Sequence, residues 1–189
     1  MNDPIRVYVP ADTTARSVGA DATAVTIAAA AARRKIELDV VRNGSRGLYW
    51  LEPLVEIEAG GKRIAYGPVD VPAVEGLFDA DFLRGGKHPL SLGPTDAIPY
   101  LAEQERLTFA RVGLADPLSI EAYRAQEGFK GLEKAVAMAG ADIVRQVTDS
   151  GLRGRGGAAF PTGIKWNTVL KAAGEQKYVV CNADEGDSG

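Results

Sequence analysis

Two short stretches concentrate the residues able to do chemistry. The first is SGLRGRGGAAFPTGIKW, Ser150 to Trp166, which carries five glycines together with Arg153, Arg155 and Lys165. Glycine permits positive φ and lets a ligand approach the backbone, while successive N–H groups can form an anion-binding concavity. With three cations added, the stretch suits a phosphate or a flat polar cofactor. It contains no G-x-x-x-x-G-K-[ST], and GRGGAA lacks the third glycine of G-x-G-x-x-G and follows no strand. Glycine content alone leaves a surface turn as credible as a ligand loop. The second stretch, CNADEGDSG, places Asn182, Asp184, Glu185 and Asp187 within six residues of chain. Asparagine can donate and accept, and carboxylates can accept from ribose hydroxyls or a ring N–H. A solvated acidic turn is the plain alternative.

Elements must hold these stretches in place. ADIVRQVTDSG reads as a helix leading into the glycine stretch, with Ile143, Val144 and Val147 on one face, and KWNTVLKAA as the helix leaving it. Tyr178 to Cys181 reads as a buried strand that delivers the acidic turn at its C-terminal end, where α/β folds commonly bind ligands. Cys181 is then a small buried hydrophobe. A lone strand cannot satisfy its own backbone groups, so the expectation is the N-terminal part of a longer polypeptide.

Upstream, IRVYVP reads as a strand and the Ala-rich run from Asp21 to Lys35 as a helix with a basic C-terminus. ELDVVRNG reads as a second strand. LVEIEAGGKRIAYG reads as a hairpin turning at Gly60-Gly61, and VPAVEGLF as a short helix begun at Pro72. The order strand, helix, strand, hairpin, helix predicts a small thioredoxin-like α/β domain over residues 1–83. Residues 84–117 read as a linker with one helix, Ile98 to Arg111. A second α/β domain is expected over residues 118–189, opening on a helix capped by Ser119. His88 reads as an exposed loop residue, since no second His or Cys lies near it. Trp50 and Trp166 read as packing anchors, the former at a possible subunit interface.

Composition narrows the class. The 189-residue chain has a net charge of -3, which gives no reason to propose nucleic acid or anionic membrane as a partner. The run ATAVTIAAAAA is too short and alanine-rich to span a bilayer, which points to a cytoplasmic protein without membrane insertion. With one cysteine the chain can neither build a disulfide framework nor ligate an iron–sulfur cluster alone.

Taken together and in order, GLRGRGGAAFPTGIKW and VVCNADEGDSG resemble the family of NADH-oxidising flavoprotein subunits. That family includes the flavin subunit of respiratory complex I, hydrogenase diaphorase subunits and the beta subunit of soluble NAD-dependent formate dehydrogenases. The resemblance is close from about Asp116 to Gly189. It implies a NAD-dependent oxidoreductase subunit in which Gly154, Arg155, Gly156 and Lys165 contact FMN, with Asn182, Asp184 and Glu185 on the opposite wall. Gly157 and Phe160 would face NADH, and Asp187, where many members have glutamate, would hold the dinucleotide. Hydride transfer between nicotinamide and flavin needs no catalytic acid or base from the chain. Ala159 stands where many members have glycine. A [4Fe-4S] module is expected in the part of the family's sequence that follows these motifs.

Relatives that begin with a thioredoxin-like domain hold a [2Fe-2S] cluster there. In the corresponding loop, NGSRGLYWLEP, Ser45 and Tyr49 replace two ligands, so the resemblance implies a cluster-free packing or docking module. The fused arrangement looks most like a formate dehydrogenase beta subunit. Its partners would then be a molybdenum-containing catalytic alpha subunit and a small iron–sulfur gamma subunit; the hydrogenase diaphorase is the second reading, the complex I-type NADH dehydrogenase subunit the third, and a flavin-free docking scaffold the competing one.

Overall fold

The computed structural model describes residues 4–107, 109–174 and 176–181. The chain forms two compact units, Met1–Gln126 and Glu127–Ser188.

The first unit is built on a five-stranded sheet in the order β2-β1-β3-β4-β5. Its strands are β1 (Ile5–Tyr8), β2 (Leu38–Val41), β3 (Val55–Ala59), β4 (Lys62–Tyr66) and β5 (Ser91–Pro94). β1 and β2 are parallel and the other pairs antiparallel, which is the expected thioredoxin-like arrangement with one strand added. The parallel pair is joined by α1 (Thr13–Ser17) and α2 (Ala20–Arg33). Gly60 and Gly61 take φ of 57° and 74°, so the hairpin turn uses the left-handed conformation glycine tolerates best.

Period-two alternation sorts the strands' side chains into two layers. Val7, Val55, Ile57 and Tyr66 are fully buried with Ile27 of α2 and with Val74 and Leu77 of α3 (Ala73–Asp79). The opposite side of β3 and β4 packs Leu54 and Ala65 against Leu48, Ile98 and Leu101. Glu56 also lies among these buried residues, 1% exposed, and takes both oxygens to Arg46 at 2.9 and 2.8 Å. Thr95 Oγ1 donates to the same carboxylate at 3.2 Å.

Several expectations are corrected here. Ser91–Pro94, read from the sequence as part of a linker, is an edge strand. Proline and a positive-φ glycine, Gly93, are tolerated there because an edge needs only one ladder and absorbs the register shift against Ala65 and Tyr66. The helix expected from Ile98 to Arg111 is only α4 (Pro99–Ala102). Beyond it tertiary bonding takes over, with an Arg106 guanidinium nitrogen donating to the Arg46 carbonyl at 2.9 Å. His88 is half-buried rather than exposed, and its Nδ1 accepts from the Leu90 N–H at 3.2 Å. α5 (Ile120–Ala125), expected to open the second domain, closes the first unit instead, which runs to Gln126; its N-cap Ser119 accepts from Ala122 N–H at 3.1 Å, the expected cap.

The second unit contains α6 (Lys130–Val136), α7 (Gly140–Asp149) and α8 (Thr162–Lys171). α7 and α8 pack closely. Gly163 is buried, and a Cβ there would lie 2.7 Å from the Thr148 Cα. Tyr178 to Cys181 is a further correction. These residues form no strand, Tyr178, Val179 and Val180 are 79%, 98% and 88% exposed, and Cys181 is exposed rather than buried. A strand needs a partner ladder, and the described residues of this unit supply none.

Candidate functional site

The glycine stretch spans the gap from α7 to α8 as a closed loop. Ser150 caps α7, its hydroxyl donating to the Val147 carbonyl at 2.8 Å, and Gly151 follows at φ 68°, the left-handed residue that commonly ends a helix. The loop's ends are drawn together by three backbone contacts. Arg153 bridges Pro161, Gly154 N–H donates to Phe160 O at 2.9 Å, and Thr162 N–H donates to Leu152 O at 2.9 Å. Its tip closes through Ala159 N–H to Gly156 O at 3.0 Å.

Side chains reinforce this frame. Arg153 Nε donates to the Ala159 carbonyl at 2.7 Å, so a residue that the sequence presented simply as charge also fixes the loop tip. Arg155 donates to the Arg153 carbonyl at 2.8 Å and is exposed. Lys165, in the first turn of α8, lies 5.6 Å from the Phe160 ring centroid, within cation–π range. The stretch thus places Arg155, Lys165 and the 44% exposed Phe160 around one small frame next to a helix N-terminus.

The glycines differ in what they are for. Gly156 and Gly157 do not have positive φ, and a Cβ at either would meet nothing within 4 Å. Gly154 would place a Cβ in ordinary contact, 3.6 Å from the Phe160 carbonyl. Neither backbone strain nor internal packing requires glycine at 156 or 157. Bare backbone there faces open space, the arrangement a closely approaching flat ligand needs. Ala159, conversely, sits at φ 43° with a side chain, a conformation that favours glycine. The expected opposite wall, Asn182, Asp184, Glu185 and Asp187, lies outside the described residues.

In the first unit Ser45 and Tyr49 are placed in quite different surroundings. Ser45 Oγ donates to Glu52 at 2.7 Å and its N–H donates to Asp12, whereas Tyr49 is 59% exposed. Burial pushes the Glu52 carboxyl above the usual carboxylate range, opposed by the Leu54 N–H and the Ser45 hydroxyl that donate to it. Trp50, 60% exposed, meets Tyr100 edge-on at 5.2 Å. Trp166 is 46% exposed, so neither tryptophan is a buried anchor within its own unit. Among the described residues no helix is long and apolar enough to cross a membrane, and no group of three or more His, Cys, Asp or Glu is gathered as for a metal.

Comparison with known proteins bears on the same stretch. The Nuo51 FMN-binding domain family matches residues 147–189. The chain is 53% identical over 85 residues to the NADP-reducing hydrogenase subunit HndC of Solidesulfovibrio fructosivorans, covering 45% of this chain and 17% of that protein. It is 51% identical over 71 residues to a NADH-quinone oxidoreductase subunit of Streptomyces coelicolor, covering 38% and 16%. It is 48% identical over 58 residues to the NAD-reducing hydrogenase HoxS subunit alpha of Cupriavidus necator, covering 31% and 10%. The chain therefore spans less than a fifth of the length of these relatives. Through the stretch that begins at the end of α7 and runs across the glycine loop, the chain is similar to the Nuo51 FMN-binding domain and to these hydrogenase and NADH-quinone oxidoreductase subunits.

Proposed function

We propose that this chain is the FMN- and NAD-binding electron-transfer part of a multi-subunit NAD-dependent oxidoreductase. The observation that carries the reading is the bare backbone of Gly156 and Gly157, where a side chain would fit and none is present. The residues fit a flavin nucleotide. The two glycines offer a surface for a ring to lie on, Lys165 and Arg155 offer positive charge to its phosphate or its electron-rich edge, and Phe160 offers an aromatic face to NADH. FMN, when bound, supplies the exchange between a two-electron nicotinamide and one-electron centres.

The chain's own contribution is orientation and charge. The hydrogen-bonded frame from Arg153 to Thr162 ties together the ends of the loop that carries Gly156 and Gly157, which lowers the ordering cost of binding. Asn182, Asp184, Glu185 and Asp187 complete the proposed pocket, the carboxylates accepting from ribose hydroxyls and from ring N–H groups. No side chain of this set acts as a catalytic acid or base.

The test is FMN retention and NADH-driven reduction of an artificial acceptor by the holoprotein. Gly156→Ala, Gly157→Ala and Lys165→Ala should each keep the parent's melting temperature yet lower both readouts. If all three keep full flavin content and activity, the site is elsewhere.

More finely, we propose that the chain works in a soluble, cytoplasmic formate dehydrogenase, with a molybdenum-containing alpha subunit, a small iron–sulfur gamma subunit and a [4Fe-4S] centre held by the part of the family's sequence that follows these motifs. The fused, cluster-free thioredoxin-like unit supports that assignment. The hydrogenase diaphorase is the second reading, favoured by the relatives named as hydrogenase subunits. Metal analysis of the purified complex separates them, molybdenum marking the first and nickel the second.

A further inference from the structure

The first unit contains a cavity of about 410 Å³ that the flavin reading does not use. Tyr49, Tyr100, Gln104, Arg106, Ser45 and Asp12 are on its walls. That volume is in the range of small-ligand sites.

The walls are held by a buried network. Arg46 and Glu56 are 6% and 1% exposed and share two hydrogen bonds. Asn43 Nδ2 donates to the Gly113 carbonyl at 2.8 Å, and Gly113, at φ 81°, leaves no room for a Cβ, which would lie 2.3 Å from the Arg46 Cδ. The Arg46 carbonyl in turn accepts from an Arg106 guanidinium nitrogen at 2.9 Å, and Arg106 Nε donates to Gln104 Oε1 at 2.9 Å. Arg46 spends its charge on Glu56. Arg106 pairs with no carboxylate among the described residues, so it is the cavity's uncompensated cation.

The remaining walls are aromatic and acidic. Tyr49 and Tyr100 are 59% and 49% exposed, and Trp50 braces Tyr100 edge-on. Asp12 is held by the Ser45 N–H and supplies one acceptor. The set therefore asks for a flat ring, one anionic group and one hydrogen-bond donor. We propose that this cavity binds a nucleoside monophosphate, with the base against Tyr100, the phosphate on Arg106 and an exocyclic amine or ribose hydroxyl donating to Asp12. Guanidinium binds phosphate in a forked, charge-assisted geometry, and bases stack on exposed tyrosines. The single unpaired guanidinium matches one phosphate, and the carboxylate of Asp12 opposes the added charge of a triphosphate.

The test is calorimetric titration of the holoprotein with AMP while saturating NADH occupies the dinucleotide site. AMP should bind with a dissociation constant on the order of 100 μM, and adenosine and inorganic phosphate each about tenfold more weakly. Arg106→Gln and Tyr100→Ala should each weaken AMP about tenfold while NADH-driven acceptor reduction stays at the parent level. Equal melting temperatures identify folded variants, and Tyr49→Ala replaces Tyr100→Ala if the latter fails to fold. No AMP binding into the millimolar range overturns the proposal. So does AMP binding that survives Arg106→Gln, or that Lys165→Ala abolishes, since the nucleotide would then occupy the flavin or NADH pocket.

Discussion

Gly163 offers the sharpest link between packing and the proposed flavin loop, because it lies where α7 and α8 touch. A Cβ at this position would lie 2.3 Å from Thr148 Oγ1, 2.7 Å from its Cα and 2.9 Å from its Cβ. Unstrained contacts need about 3.5–4.0 Å, so Gly163→Ala must part the helices by about 1 Å. Rotating Thr148 away does not suffice. Its hydroxyl already donates to the Val144 carbonyl at 2.7 Å, and its Cα cannot move without the helix. Overpacking of this kind costs about 1–3 kcal/mol, roughly 10 °C in melting temperature for a unit of this size. The loop from Gly151 to Pro161 is tied to both helices, so its frame should open and the holoprotein should lose FMN on gel filtration. Adding Thr148→Ala removes the Oγ1 contact but leaves the 2.7 Å clash with Cα, so rescue should be partial. A Gly163→Ala protein that melts within about 1 °C of the parent and keeps its flavin would refute the reasoning.

Three further predictions rest on separate features. Ala159→Gly should stabilise the loop by about 0.5–1 kcal/mol in urea unfolding, because relief of left-handed strain at φ 43° outweighs the added freedom of the unfolded chain; a lower midpoint would sink this. Arg46→Ala should cost about 3–5 kcal/mol by leaving the Glu56 carboxylate buried without its main partner, whereas Arg46→Met combined with Glu56→Leu should recover most of the loss. The same denaturation midpoints check both, and an equal loss in single and double variants would contradict the account. Glu52, raised by burial, holds its proton more tightly folded than unfolded, so its contribution favours folding at low pH and is lost as pH rises from its unfolded value through its folded one. Glu52→Gln should therefore gain stability relative to the parent as pH rises from about 4 to 7, and a constant difference across that span would disprove it.

The sheet's first four strands and α2 were legible because each carries its own local signal. β3 and β4 alternate around Gly60-Gly61, and α2 is a run of alanines with a basic end. β5 was not legible. SLGP has no alternation to read, and it becomes a strand only because β4 presents an open ladder. The segment after α4 failed for the opposite reason. Gln104 to Leu107 contains good helix formers, yet Arg106 is held by the carbonyl of Arg46, sixty positions away in sequence. Tyr178 to Cys181 shows the limit of apolar composition as a strand signal, since a strand is a property of two segments.

The candidate site was legible in a different way. Its ordered residues carried the family resemblance, but composition could not say why any one glycine is there. The structure separates the cases. Gly151 answers a backbone demand, a left-handed helix end at φ 68°. Gly163 answers a packing demand, the approach of Thr148. Gly156 and Gly157 answer neither, since their φ is not positive and a methyl group would meet nothing. Substitution at the first two positions should therefore unfold or distort the unit with or without ligand. Substitution at the last two should leave the free protein intact and fail only when something flat must lie against the backbone. That difference between variants distinguishes a loop shaped for its own stability from one shaped for a cofactor.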